Sequence, residues 1–198
     1  KAFNDGLDFH TATAEAMGVE RADAKTLNFK VVYGGGSRED TAKWFAAYPR
    51  AAEYMQELRN EFHKTGQVVA LLGHTRHLGA VPKDWGLKSH KERQAVNMPI
   101  QCIAAQLTLI ALMLTEKYML DNKVEGVICN TVHDSGILDI SSNVKKTKVL
   151  GDIRELWKNG VRDYIYKHYG YMIKVELKAD VSWGSSWGSQ TEELECCL

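Results

Sequence analysis

The 198-residue sequence holds only four cysteines, Cys102, Cys129, Cys196 and Cys197, and they form neither a paired metal-ligand spacing nor a disulfide framework. A small disulfide-stapled fold is thereby excluded, and a reducing compartment is expected. Charge of one sign is also missing: 25 basic side chains balance 25 acidic ones, for a formal net charge of zero. That balance excludes capture of nucleic acid chiefly by global electrostatics, so any such contact must be local. Read along the chain, no apolar run reaches bilayer-spanning length, and Lys1-Ala2-Phe3-Asn4-Asp5 lacks the regions of a secretory signal. A cytoplasmic protein with no membrane partner is the expectation. The tail Glu195-Cys196-Cys197-Leu198 does not place cysteine fourth from its end, so prenylation is not indicated. What is present, 44% hydrophobic and 25% charged residues, suits one globular domain or two small ones with a real core.

The most informative pattern is Arg21, Lys25, Phe29 and Tyr33, set four apart and followed at once by Gly34-Gly35-Gly36. On a helix this spacing stacks the four side chains into one slowly drifting column, two cations and then two rings. Such a column can hold a triphosphate at one end and a base at the other. Leu27, Val31 and Val32 are available to face a core. A surface helix with solvated cations and half-buried rings shows the same pattern, so the stripe decides nothing alone.

Around it the first half reads as helical. Asp8 or Thr11 caps a first helix, the stripe helix runs from about Glu20 to Tyr33, and Gly34 stops it. Ser37 starts a helix through Trp44 and Phe45, and Pro49 opens another that ends at Gly66, with Tyr54, Met55, Leu58 and Phe62 on its apolar face. Gln67 to Val81 alternates as a hairpin turning at Gly73-His74-Thr75-Arg76. His74 and His77, three apart on a strand, face opposite sides and do not suggest a metal site. Basic residues gather between His74 and Arg93, a cluster that more often marks a solvated face than a binding surface.

From Ser89 to about Leu120 a long helical pattern returns, interrupted by Pro99, with an apolar second half at Ile103, Leu107, Ile110 and Leu114. Arg93, Asn97 and Gln101 repeat the four-residue spacing with side chains that donate hydrogen bonds, suited either to minor-groove acceptors or to a polar helix edge. Val124 to Ile140 reads as two strands joined around His133-Asp134-Ser135-Gly136. An aspartate at such a tip is placed for a divalent cation, although turns favour these residue types without any function. A helical stretch from Lys146 to His168, a strand from Tyr171 to Lys178, and two Trp-Gly pairs at Trp183 and Trp187 follow.

Asp8-Phe9-His10, the Arg21 stripe, Arg93-Gln94-Ala95-Val96-Asn97-Met98-Pro99-Ile100-Gln101 and Val132-His133-Asp134, in this order, resemble the carboxy-terminal part of family A DNA polymerases. The class is that of bacterial DNA polymerase I and its phage relatives, and the likeness covers nearly the whole chain. It implies an α+β fold: a helical fingers subdomain at residues 1–88, with nucleotide-binding helix 20–33, and part of an antiparallel palm sheet at 89–198, with metal-binding hairpin 124–140. This would be an incomplete polymerase right hand.

The resemblance further implies template-directed nucleotidyl transfer of a dNTP onto a primer 3′-hydroxyl. His10, Arg21 and Lys25 would hold the triphosphate, with Lys25 also a catalytic proton donor to pyrophosphate. Phe29 would pack near the sugar and discriminate against dideoxynucleotides, and Tyr33 would sit by the template base. Arg93, Asn97, Gln101 and His133 would contact primer-template DNA. Asp134 would be one of two catalytic aspartates binding Mg²⁺, two ions being expected in the complete enzyme. The other aspartate belongs to an upstream strand that these residues do not include. A fragment or split half, inactive alone and partnered by an upstream polymerase segment, is therefore expected. Ser135 stands where the family often has glutamate, and the short His10 to Arg21 interval looks like a compact phage version. A non-catalytic DNA-binding relative and a single-subunit RNA polymerase are the competing readings; the stripe favours the DNA enzyme.

Overall fold

The computed structural model describes residues 6–190 and the backbone of Glu192 and Glu193. Two compact units emerge, Lys1–Ile103 and Ala104–Leu198. Their division falls within one long helix. Among the described residues, helices and three two-stranded antiparallel sheets make the class α+β, as the resemblance implied.

In the first unit, α1 (Phe9–Met17) starts at Asp8, whose Oδ1 accepts from the backbone N–H of His10 and Thr11 and supplies the N-cap. α2 (Arg21–Val32) ends where Gly34 takes φ +76°. There Gly34 N donates to Val31 O and Gly35 N to Lys30 O, the paired bonds of a Schellman motif. α3 (Arg38–Ala47) begins at Ser37, whose Oγ accepts from Asp40 N, and α4 (Pro49–Thr65) has proline in its first turn and left-handed Gly66 as its cap. β1 (Gln67–Val69) and β2 (Thr75–His77) pair in the expected hairpin, with Val68 opposite Arg76. Phe62, Val68, Ala70, Leu78, Ala95 and Met98 form a buried cluster, and Met55, Leu58 and Val96 a second. Burying a side chain the size of Phe62 stabilises by about 2–3 kcal/mol, so the α4 face anchors this unit.

α5 (Trp85–Asp121) begins earlier than expected, because Asp84 Oδ1 accepts from Leu87 N and caps it. Nor is it interrupted: Pro99 lies inside a continuous helix. Proline there costs about 3 kcal/mol, which burial of Ala95, Val96 and Met98 on the same turns offsets. No apolar run of bilayer-spanning length was expected, yet by length and composition α5 is apolar enough to cross a bilayer. α5 contains an 18-residue window of mean hydropathy 1.7 with at most two charged residues. No unbroken apolar run exists, but the alanines, leucines and isoleucines around Gln101, Gln106 and Thr108 raise the mean. Its polar groups are used as in a core helix: Thr115 Oγ1 accepts from Trp157 Nε1 at 3.0 Å and donates to Ala111 O.

In the second unit β3 (Gly126–Val132) and β4 (Ser135–Ile140) form a hairpin with Val132 opposite Ser135 and a bulge at Cys129, which has no cross-strand partner. α6 (Lys146–Glu155) runs through a π-helical turn, Leu156–Gly160, into α7 (Val161–Tyr169), and Ile153, Val161 and Ile165 are buried. The strand expected from Tyr171 to Lys178 is absent. A strand requires a ladder partner, and the Ile173 carbonyl instead accepts from Arg162 Nη2 at 3.2 Å. β5 (Ser182–Trp183) pairs with β6 (Glu192–Glu193), and Cys196 and Cys197 lie outside the described residues.

Tyr118 fastens α5 to α6 by donating to Asp152 Oδ2 at 2.6 Å. Burial, and then the bond to this carboxylate, push its pKa from 10.0 up to about 12. The neutral phenol is favoured by the fold, so the contribution is complete below the ordinary phenol pKa and is lost as pH rises toward about 12. Thermal melts followed by circular dichroism are expected to show wild type losing its advantage over Tyr118→Phe across that window. A constant difference between the two would rule the linkage out.

Candidate functional site

α2 displays the whole stripe to solvent: Arg21, Lys25, Phe29 and Tyr33 are all exposed, the two rings by 49% and 47%. Phe29 and Tyr33 stack with centroids 6.4 Å apart and planes 14° from parallel. The helix is held by a different trio, Ala24, Asn28 and Val31, spaced i, i+4, i+7 and all buried. Leu27 and Val32 are only half-buried. Exposed aromatic rings carried on a firmly anchored helix form a surface suited to stacking a flat ligand.

His10 joins the column from α1. Its ring lies 5.9 Å from that of Phe29, and its Nδ1 lies 3.0 Å from Asn28 Nδ2. Arg21 donates from Nε at 2.8 Å and from Nη2 at 2.5 Å to Asp8 Oδ2. The guanidinium beside Asp8 holds that carboxyl below the usual carboxylate range, opposed by desolvation and aided by the two capping N–H groups. Asp8 therefore both starts α1 and pins Arg21 through Nε and Nη2. Lys25 makes no ion pair among the described residues.

The stripe ends against α5. A Cβ on Gly34 would lie 2.6 Å from Arg93 Cγ and 2.9 Å from Cδ, so the arginine stem rests directly on this glycine. Only glycine combines that clearance with the positive φ. Arg93 Nη1 donates to Ser89 Oγ at 2.7 Å. Gly34, Gln56, Arg59, His63, Ser89, Glu92 and Arg93 enclose a polar cleft of about 340 Å³ beside Tyr33. Asn97 is half-buried with Oδ1 lacking a partner among the described residues, and Gln101 is exposed. The exposed column of α2 and Arg93 thus meet within the first unit, at Gly34.

His133 and Asp134 form the two-residue turn of the β3–β4 hairpin, both exposed, His133 at φ +53°. Histidine is one of the few residues enriched in that region. Ser135 Oγ donates to Val132 O and Thr131 Oγ1 to Ser135 O, which tightens the turn. Gly136 packs so closely that an added Cβ would stand 2.6 Å from Leu112 Cδ2 and 3.1 Å from Trp157 Cζ2. The hairpin is thereby seated on α5, and Asp134 projects from a fixed base.

Two features escaped the sequence reading. Asn28 is buried inside a helix where a polar residue was not expected, and Asp8 engages Arg21. The i, i+4, i+7 relation of Ala24, Asn28 and Val31 carried the first signal; the second depended on the approach of α1 and α2.

A family model described as DNA polymerase family A matches residues 1–189. DNA polymerase I of Streptococcus pneumoniae is 29% identical over 212 residues, covering 94% of this chain and 23% of that protein. The DNA polymerase of Bacillus phage SP01 is 26% identical over 224 residues, covering 98% of this chain and 24% of the phage protein. The chain thus spans about a quarter of the length of these relatives. The polymerase domain of Pol1 from M. smegmatis, solved with DNA primer-template and dNTP, superposes with a TM-score of 0.78 at 22% identity, covering 96% of this chain and 36% of the other, and shares the fold. On the match of its sequence from residue 1 to residue 189, the chain belongs to DNA polymerase family A.

Proposed function

We propose that this chain is the nucleotide-holding part of a DNA polymerase and contributes one metal-binding carboxylate to template-directed transfer of deoxynucleotides onto a primer 3′-hydroxyl. In this reading residues 1–88 are the fingers portion and residues 89–198 the palm portion. The observation that carries it is the solvent-facing column of Arg21, Lys25, Phe29 and Tyr33, with His10 against Phe29, in a chain of this family. The related Pol1 domain was solved with primer-template and dNTP, the ligands proposed here.

Arg21, Lys25 and His10 hold the triphosphate oxygens, where positive and N–H groups best counter charge developing on phosphate. Lys25 also gives a proton to the leaving pyrophosphate. Phe29 packs on the sugar without offering it a hydroxyl, and Tyr33 sits at the template base. Arg93, Asn97, Gln101 and His133 contact the primer-template duplex.

Asp134 is an exposed carboxylate at a fixed turn, the hard oxygen ligand that Mg²⁺ takes. Among the described residues no three His, Cys, Asp or Glu side chains gather into a cation site. The fit is therefore partial: Asp134 offers one ligand, and the reading assigns the second aspartate of a two-ion centre to a preceding polymerase segment. When bound, such ions supply Lewis-acid activation and stabilise charge at the attacking and leaving oxygens.

Primer extension tests the reading. With Mg²⁺, dNTPs and primer-template, these 198 residues alone are expected to give no product. Extension is expected once the preceding part of a relative, such as the S. pneumoniae enzyme, is added. Robust synthesis by the lone chain would refute the need for a partner segment. Failure of the chain to bind dNTP at all would sink the reading itself.

A further inference from the structure

Asn28 sits in the interior of α2, only 3% exposed. Asparagine is a poor helix former, and its buried amide is costly unless every group is bonded. Here both ends of the amide are occupied. Oδ1 accepts from Trp44 Nε1 at 2.7 Å and lies 3.1 Å from Thr13 Oγ1, while Nδ2 lies 3.0 Å from His10 Nδ1. Thr13 Oγ1 is also 2.9 Å from the Phe9 carbonyl and 2.8 Å from Tyr48 Oη. With a single proton it serves one acceptor at a time, so Tyr48 is the donor in their bond.

The indole N–H can only donate, which fixes the atom facing Trp44 as the amide oxygen. The atom facing His10 is then the NH₂ group, which can only donate. His10 Nδ1 must accept, so the ring proton resides on Nε2. A single buried residue thus joins α1, α2 and α3 and sets the tautomer of a ring lying beside Phe29.

Resting on the nucleotide reading above, we infer that Asn28 is a positioning residue that holds His10 in its Nε2-protonated form as an N–H donor to a phosphate oxygen. His10 then recognises the triphosphate as an oriented donor and leaves the ionic contribution to Arg21 and Lys25. The arrangement works like the outer-shell bonds that fix ring orientation and tautomer in metal-binding histidines.

The test uses the full chain labelled with ¹⁵N-histidine. Two-bond ¹H–¹⁵N correlations at mildly alkaline pH report the tautomer, and His10→Gln identifies the signal among seven histidines. Wild type is expected to show Nε2–H. In Asn28→Asp one carboxylate oxygen still accepts from Trp44 while the other demands a donor, so His10 is expected to switch to Nδ1–H. Mg-dATP affinity is expected to fall about tenfold, the loss of one hydrogen bond to a charged group, and no further in the His10→Gln background. Should Asn28→Asp fail to fold by circular dichroism, Trp44→Phe removes the N–H that orients the amide, together with part of a buried ring, and is expected to give mixed tautomers. An Nδ1–H ring in wild type, an unchanged tautomer in the folded variants, or an equal affinity loss without His10 overturns the inference. If the tautomer switches as stated but wild type binds no dATP, the network stands and both the phosphate role and the nucleotide reading fall.

Discussion

Asp134→Ala in the complemented polymerase is expected to lower single-turnover primer extension by roughly 10³-fold or more, with primer-template affinity unchanged. A bound cation contributes several kcal/mol of charge stabilisation, and about 1.4 kcal/mol corresponds to each tenfold in rate. The side chain is exposed at a two-residue turn, so its removal leaves no cavity and no orphaned partner. The turn keeps its shape because Ser135 Oγ bonds Val132 O and Gly136 stays packed on Leu112 and Trp157. Loss of rate in a folded, DNA-binding variant therefore reports chemistry. Asp134→Asn keeps the volume and one carbonyl oxygen but loses the charge, and should recover little of the rate. A fully active Asp134→Ala would refute the metal role.

What the sequence made legible was chiefly local. Ser37 and Pro49 announce helix starts, Gly66 and Gly34 announce stops, and the β3–β4 turn is bounded by residues that favour turns, because each of these preferences acts within a few residues. The exposed column on α2 was readable for the same reason: spacing alone sets which side chains share a face. The failures came where tertiary contacts decide. Pro99 reads as a break, yet burial of its neighbours carries the helix through it. Tyr171 to Lys178 reads as a strand by residue type, yet strands exist only as pairs, and Ile173 O is taken by Arg162. Arg21 reads as a free cation, yet the α1–α2 approach gives it to Asp8. Periodicity with Ala24 and Val31 marks Asn28 as inward-facing, but the role of its amide lies in Trp44 and His10, contributed by two other helices.

Lys25→Ala is the second large effect, with an expected fall of about 10²-fold in the rate of nucleotide incorporation and a smaller loss of dNTP affinity. Arg21 is already engaged by Asp8, whereas Lys25 has no ion pair among the described residues and, in the proposed reading, keeps its charge for the triphosphate. Removing one group that stabilises developing phosphate charge typically costs 10²–10³-fold in rate. An interaction that strengthens toward the transition state lowers kcat and kcat/KM together, while one that merely holds substrate raises KM alone. Pre-steady-state incorporation over a range of dNTP concentrations separates the two. Lys25→Arg then divides the mechanism further, because arginine keeps the positive charge but does not give up its proton. Recovery of affinity without recovery of rate would mark Lys25 as the proton donor to pyrophosphate. Recovery of both would reduce its role to charge alone, and a rate unchanged in Lys25→Ala would remove it from the chemistry.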